Sequence, residues 1–362
     1  MEQALRILLV SDHGYLPDRT GGREVSTHEL ATRYSNDGHA VTVLTRDHIP
    51  GYRPRSIAGA ARYSRSWLSR RRSERELRYR VHRSPNVQQS MRELLDRHRF
   101  DLTVLQFDEP QKNLDFNLPA GSRYAVYIRD AKDIAGMSAA TFPGSVALAA
   151  NSCFTAAAVG KQIGRDVPVI VPYVEKDRYV TRPDGSFVTF VNPVAVKGAE
   201  LAFAIAEACP ELPFLFVEGW PLSGRAQREL TARIRRIPNI EYRRRVSDMR
   251  SIYRQTRVLL VPSQWAESWG RVVTESHFSS IPVLASHIGG LPESVGCGGM
   301  LLPPSEPASI WAEALRELYA PDMHARVSRL ARDQSETYWE KAQSLPGALL
   351  ACRPAEPLLG KC

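Results

Sequence analysis

In the stretch 261–283, VPSQWAESWGRVVTESHFSSIPV, two carboxylates, Glu267 and Glu275, are separated by seven residues. Ser268, Trp269 and Gly270 between them read as a loop entering a helix, with Glu267 in the loop and Glu275 within the helix. A carboxylate so placed can accept bonds from two ribose hydroxyls, as acidic residues do in other nucleotide sites. The free N–H groups of the helix start would suit a phosphate. Two solvated glutamates near a helix start, where acids are favoured by the dipole, would show the same spacing. Spacing alone leaves both readings open.

A second stretch, Ser11–Glu24 (SDHGYLPDRTGGRE), follows a strand-like run and precedes a helix-like one. Gly21 and Gly22 let backbone N–H groups come close to a ligand, and the following helix offers its positive end to an anion. The spacing is not G-x-G-x-x-G, and a Gly-Gly pair is equally a plain turn.

These groups need a scaffold, and the apolar pattern supplies one. Strand-length runs alternate with helical segments: Leu5–Ser11, Ala40–Thr45, Asp101–Gln106, Arg123–Ile128 and Ser145–Ala150 in the first half. Phe187–Asn192, Pro213–Glu218, Asn239–Arg243, Arg257–Pro262, Ile281–Ser286 and Gly299–Leu302 follow in the second. Ile7–Val10 and Val258–Val261 are continuously apolar, as strands buried on both faces of a parallel sheet are. Thr27, Leu30, Ala31 and Tyr34 fall at helical spacing before Gly38. The repeated strand–helix–strand pattern predicts an α/β fold of two Rossmann-like doubly wound domains. The expected divisions are 1–168, 169–335 and a C-terminal helix and tail, 336–362, packing back towards the first domain. Doubly wound sheets bind ligands at the carboxyl ends of their strands, so two that face each other would enclose a cleft.

Composition narrows the class. The 362 residues are 43% hydrophobic and 24% charged, enough for two real cores. The longest charge-free stretch is too polar and too interrupted to span a membrane. The N-terminus lacks a secretory pattern, so the expected location is cytoplasmic. Cys153, Cys209, Cys297, Cys352 and Cys362 show no metal-ligand spacing, and an odd count argues against a disulfide framework. The net charge of +9 is concentrated in residues 53–83, where eleven arginines are opposed within the segment only by Glu74 and Glu76. Such a field attracts phosphates, acidic lipid or nucleic acid; a solvated loop and helix would carry the same residues.

The stretch around the two glutamates resembles the signature of glycosyltransferase family 4, retaining enzymes of GT-B fold. The matching positions are Pro262, Ser263, Glu267, Ser268, Trp269, Gly270 and Glu275, continued by Ile281-Pro282-Val283 and Gly289-Gly290-Leu291-Pro292-Glu293. Gly21-Gly22-Arg23-Glu24 through Val43 resembles the family's N-terminal glycine loop, helix and second strand. Asn151–Phe154, Lys197-Gly198 and Arg245-Val246-Ser247-Asp248 through Tyr253 match further segments in order.

The resemblance implies transfer of a sugar from a UDP- or GDP-sugar to an acceptor hydroxyl, with no catalytic metal and no other cofactor. It implies that Glu275 holds the donor ribose. Glu267, with the backbone of Ser268, Trp269 and Gly270, would hold the transferred sugar. Lys197 would neutralise the leaving diphosphate, Gly21 and Gly22 would close over it, and Val246 would lie beside the base. Two departures stand out. Asn192 replaces an arginine five residues before the lysine, and Arg129-Asp130 occupies the place of a histidine near the reacting carbon. Arg271, at the helix start, is the expected substitute cation for the diphosphate, unless it points to solvent and Asn192 donates instead. A catalytically impaired relative that binds a sugar nucleotide or a protein is the alternative. The acceptor is open among small molecules, glycans and lipid-linked species. The arginine-rich segment is expected to serve that acceptor or an anionic membrane surface. A nucleic-acid partner would leave the C-terminal motif unexplained and is not expected.

Overall fold

The computed structural model describes residues 3–47, 57–107, 110, 114–134, 137–138 and 142–352. The chain forms two compact units, Met1–Tyr173 together with Ser344–Cys362, and Val174–Gln343.

The first unit runs β1 (Arg6–Ser11), α1 (Gly22–Asn36), β2 (Ala40–Arg46), α2 (Ile57–Glu74), β3 (Arg80–Ser84), α3 (Val87–Arg97), β4 (Leu102–Gln106), β5 (Arg123–Ile128), β6 (Ala147–Ala150) and α4 (Cys153–Ile163). Its strands make a parallel six-stranded sheet in the order β3-β2-β1-β4-β5-β6. Ile7, Leu8, Leu9 and Val10 are fully buried at its centre, because helices cover both faces of a sheet wound this way. Full burial of each such side chain contributes roughly 1.5–3 kcal/mol. On α1, Thr27, Leu30, Ala31 and Tyr34 turn inward, and Gly38 at φ 91° ends the run.

The second unit runs β7 (Phe187–Val191), α5 (Ala199–Ala208), β8 (Phe214–Val217), α6 (Gly224–Ile234), β9 (Ile240–Arg243), α7 (Arg250–Tyr253), β10 (Thr256–Val261), α8 (Arg271–His277), β11 (Val283–Ser286), α9 (Leu291–Val295), β12 (Gly299–Leu302), α10 (Ala308–Tyr319) and α11 (Pro321–Ala351). Its sheet, also parallel, has the order β12-β11-β10-β7-β8-β9. Phe190, Phe203, Phe214, Phe216 and Trp311 fill its core. Residues of α11 from Ser344 onward belong to the first unit.

In each sheet the chain reverses its direction of winding once: between β1 and β4 in the first, between β7 and β10 in the second. Crevices at the carboxyl ends of such strand pairs are the usual ligand sites of open α/β sheets.

The structure corrects the sequence reading at the arginine-rich segment. β3 lies within it and carries only Val81 as an apolar residue; as an edge strand it needs little more. Arg70 is no part of an open basic field. It is 5% exposed and bonded to Asp18 and Asp47, at 2.5 and 2.8 Å, so acids outside the segment oppose it. Arg83 likewise pairs with Glu74 at 2.7 Å and donates to the Leu16 carbonyl at 2.6 Å. Arg53 and Arg55, and the side chains of Arg62 and Arg72, lie outside the described residues.

Candidate functional site

The second unit gathers most of the sequence-selected residues at its β7/β10 crevice. Lys197 stands in the turn after β7, Glu267 in the loop after β10, and their Nζ and Oε2 atoms are 2.9 Å apart. The Ser263 hydroxyl donates to Glu267 Oε1. Local backbone geometry forces this meeting. Gly198 has φ 83°, and a Cβ there would lie 1.8 Å from the Pro262 carbonyl oxygen. Only glycine lets the two loops approach so closely, and the Gln264 N–H then donates to the Val196 carbonyl at 3.1 Å.

The glycine pair after β11 holds the other side of the loop. The Gly290 N–H donates to the Glu267 carbonyl at 2.6 Å. Cβ atoms at Gly289 and Gly290 would lie 2.3 Å from the carbonyl oxygens of Glu267 and Ser268 respectively. Trp269 is buried, and its indole N–H donates to the Thr274 hydroxyl at 2.9 Å. Gly270 then caps α8 at φ 84° with no side-chain bond over the helix start.

Glu275 sits at the fifth position of α8 and is 6% exposed. Arg271 Nε donates to its Oε1 and the Tyr253 hydroxyl to its Oε2, each at 2.7 Å. Burial and the adjacent carboxylate push the Tyr253 phenol well above its ordinary range, so it stays an O–H donor. Arg271 does not point to solvent: its side chain is 11% exposed, and Nη2 donates to the Tyr179 hydroxyl at 2.7 Å. The guanidinium is thus tied to a carboxylate and a phenol.

Asn192 closes β7 in the left-handed region, at φ 68°, where asparagine is among the few side chains commonly found. Its Oδ1 accepts from the Trp220 N–H at 3.0 Å. The Trp220 ring lies 5.6 Å from Lys197 Nζ. Val246 follows β9 and packs partly buried against Leu215, Val217 and Ile252.

The first unit carries a separate polar cluster at its own reversal point. Gly21 is the cap of α1 in extended conformation, and no side chain covers the helix start. Arg129, after β5, donates to the Arg23 carbonyl at 2.9 Å and the Thr27 hydroxyl at 3.0 Å. Thr27 in turn donates to Gln106 at the end of β4, at 2.9 Å. Arg23 bonds His13 Nε2 at 2.8 Å and Asp130 at 2.9 Å. Burial pushes the His13 imidazole down to about 4 and lifts the neighbouring Asp12 carboxyl. His13 is therefore neutral at pH 7 and accepts from Arg23.

Sequence reasoning singled out Arg129 but neither His13 nor Arg23. Their position directly after β1 and in the first turn of α1 was the available signal, because ligand-facing residues of doubly wound sheets lie there. Among the described residues no group of three or more His, Cys, Asp or Glu could hold a metal ion.

Residues 199–321 match the family model of glycosyl transferases group 1. A D-inositol 3-phosphate glycosyltransferase of Saccharomonospora viridis is 36% identical over 98 residues, 26% of this chain and 22% of that protein. One from Mycolicibacterium vanbaalenii is 38% identical over 89 residues, 24% of this chain and 19% of the relative. The alignments thus span about a fifth of the length of these curated relatives. Over the whole fold, Anabaena Alr3699/HepE in complex with UDP superposes with a TM-score of 0.69 at 17% identity, covering 95% of this chain and 98% of that one. A glycosyltransferase from Rickettsia africae gives 0.68 at 14% identity, over 96% and 99%. Residues 199–321 are similar to the group 1 glycosyltransferases, and the two Rossmann-like units share the GT-B fold of these solved structures.

Proposed function

We propose that this chain transfers a glycosyl group from a UDP- or GDP-sugar to an acceptor hydroxyl, with retention of anomeric configuration. The observation that carries the reading is the Lys197–Glu267 pair, fixed by glycines at the reversal point of the second sheet, with Glu275 buried on the adjoining helix. The relatives support the class of reaction. A structural neighbour in complex with UDP-glucose supports the donor class.

In this reading the pair is the resting state. Donor diphosphate competes for the Lys197 ammonium, which then meets the charge that builds on the leaving oxygen; preorganised donors at such a position are usually the largest catalytic term. Glu267, released from the lysine, accepts from hydroxyls of the transferred sugar beside the backbone of Ser268, Trp269 and Gly270. Glu275 accepts from the ribose hydroxyls. Arg271 and Tyr253 also donate to this carboxylate and orient it. Val246 borders the base, and Asn192 shapes the loop under the diphosphate. The polar cluster around Arg129 serves the acceptor. The scheme routes the leaving-group charge through lysine, so transfer is expected to persist in a chelator.

The test is a panel of sugar nucleotides. A ligand at about 100 times its Kd stabilises by about 2.7 kcal/mol, so the true donor raises the melting temperature, and nucleoside diphosphate release is then followed with that donor. No stabilisation and no release with any UDP- or GDP-sugar would refute the reading. Stabilisation without turnover, with a panel of acceptors present, would select the impaired relative.

A further inference from the structure

Among the described residues of the second unit, Trp220 is the one aromatic side chain that stands exposed, at 43%. It lies in the turn after β8, at the carboxyl end of that strand. It is part of neither the core around Phe190, Phe214 and Phe216 nor the smaller cluster of Leu215, Val217 and Ile252. The main chain beneath the ring is nevertheless fixed. The Trp220 N–H donates to Asn192 Oδ1 at 3.0 Å, and a Cβ at Gly219 would lie 2.8 Å from the Asn192 Cβ. Pro221 follows, and a proline restricts the backbone of the residue before it. The turn therefore holds an uncovered indole in one place, which the core does not require.

What the indole meets is Lys197. The ammonium lies over the ring, 5.6 Å from its centroid, inside the range of about 6 Å for a cation–π contact, for which tryptophan is the best partner. Lys197 thus has two partners, the Glu267 carboxylate at 2.9 Å and the Trp220 face. The acid of the same turn is turned elsewhere: Glu218 accepts from the Tyr242 hydroxyl at 3.1 Å and lies 3.7 Å from Arg244. The two partners of Lys197 differ in kind. A carboxylate neutralises the ammonium, whereas an uncharged ring holds it and leaves its charge to meet a phosphate. In the glycosyl-transfer reading the donor diphosphate takes the ammonium from Glu267. A lysine on its flexible four-carbon stem would then lose its order, and donors stabilise a developing charge best when already in place.

We propose that Trp220 is a positioning residue of the donor site, whose indole face holds the Lys197 ammonium in place while the donor diphosphate displaces Glu267. The proposal rests on the glycosyl-transfer reading. Calorimetric titration of UDP and GDP into the full chain tests it, with turnover followed in parallel on the donor found by the sugar-nucleotide panel. Trp220→Leu should weaken nucleoside diphosphate binding about 3- to 30-fold, the scale of a cation–π contact, and lower turnover at least as much. Trp220→Phe keeps an aromatic face and should recover most of the loss. On a Lys197→Ala background Trp220→Leu should cost nothing further, because the two residues act together. Both Trp220 variants should keep the parent's melting temperature, since the ring is exposed. Nucleotide binding should also change the tryptophan emission of the parent, and that change should be lost in Trp220→Phe. A parent that binds neither UDP nor GDP would overturn the transfer reading and this proposal with it. In a parent that does bind, three results would each overturn this proposal alone: parent-like affinity in Trp220→Leu, equal losses in the leucine and phenylalanine variants, or an undiminished loss in the absence of Lys197.

Discussion

Arg271→Ala separates two ways in which this arginine could serve the reaction. The structure ties its Nε to Glu275 at 2.7 Å and its Nη2 to Tyr179 at 2.7 Å, so its first expected effect is on the carboxylate. The Glu275 side chain is 8% exposed. Without Arg271 it keeps the Tyr253 O–H as a partner but loses a charge-assisted bond and the group that orients it. Charge-assisted hydrogen bonds contribute about 1.5–3 kcal/mol, so losing the oriented acceptor should weaken nucleoside diphosphate binding by roughly 10- to 100-fold. Breaking a buried pair also costs up to about 3–5 kcal/mol of stability, so the melting temperature must be followed in parallel. The assay is calorimetric titration of UDP and GDP into parent, Arg271→Ala, Arg271→Lys, Glu275→Ala and the double variant. Arg271→Lys should keep part of the affinity that Arg271→Ala loses, whereas Glu275→Ala should bind weakly whatever stands at 271. The double variant should be little worse than Glu275→Ala alone, because the two residues act as one unit. Parent-like nucleotide affinity with collapsed turnover in Arg271→Ala would refute this reasoning and place the guanidinium on the leaving diphosphate instead.

Glu267→Gln should leave nucleoside diphosphate affinity near the parent's while lowering turnover. Lys197→Ala should lower turnover by about 10²–10³-fold, the scale for removing one preorganised donor; equal loss of nucleotide affinity in both would mean the pair is misassigned. Gly198→Ala should destabilise by well over 1 kcal/mol, seen as a lowered urea midpoint, because φ is 83° and the new Cβ would meet the Pro262 carbonyl oxygen. His277 is 1% exposed, donates to the Gly298 carbonyl at 3.1 Å, and is pushed by burial from 6.5 down to about 4. Its unfolded form therefore binds the extra proton between about pH 6.5 and 4, so its contribution, about 3 kcal/mol at most, is present above that window and lost as pH falls through it. A urea midpoint indifferent to pH from 7 to 4 would refute the buried neutral histidine.

The parts of the fold legible in the sequence are those buried on both sides. Ile7–Val10 and Val258–Val261 read as central strands because a covered parallel strand has no polar face to confuse its period. β3 escaped notice for the converse reason: an edge strand reading Arg-Val-His-Arg-Ser has little to bury, and its charges hid it in the basic segment. The Glu267-to-Glu275 spacing was legible because one loop and one helix turn carry it. The i, i+4 spacing of Arg271 and Glu275 is also legible, since such pairs meet on a helix surface, and it competes with the reading that sets the arginine on the diphosphate. Its Tyr179 partner, ninety-two residues away in sequence, could not be read. The same holds for Arg23, whose bond to Asp130 joins the first turn of α1 to the segment after β5, across the intervening β4.

The substitution at Asn192 gains a physical meaning from the turn it makes. The residue is 6% exposed, its backbone is left-handed, and its amide oxygen holds the Trp220 N–H. A Cβ at Gly219 would lie 2.8 Å from its own Cβ, so the β8 loop is packed directly on it. An arginine here would strain the backbone and displace that loop, and with it the Trp220 ring beside Lys197. Where the resemblance implies an arginine, Asn192 thus shapes a turn. In the proposed scheme, with Arg271 engaged by Glu275 and Tyr179, Lys197 is the cation that meets the departing diphosphate. That lysine rests against Glu267, so in the same scheme its charge is held in a pair before the donor binds.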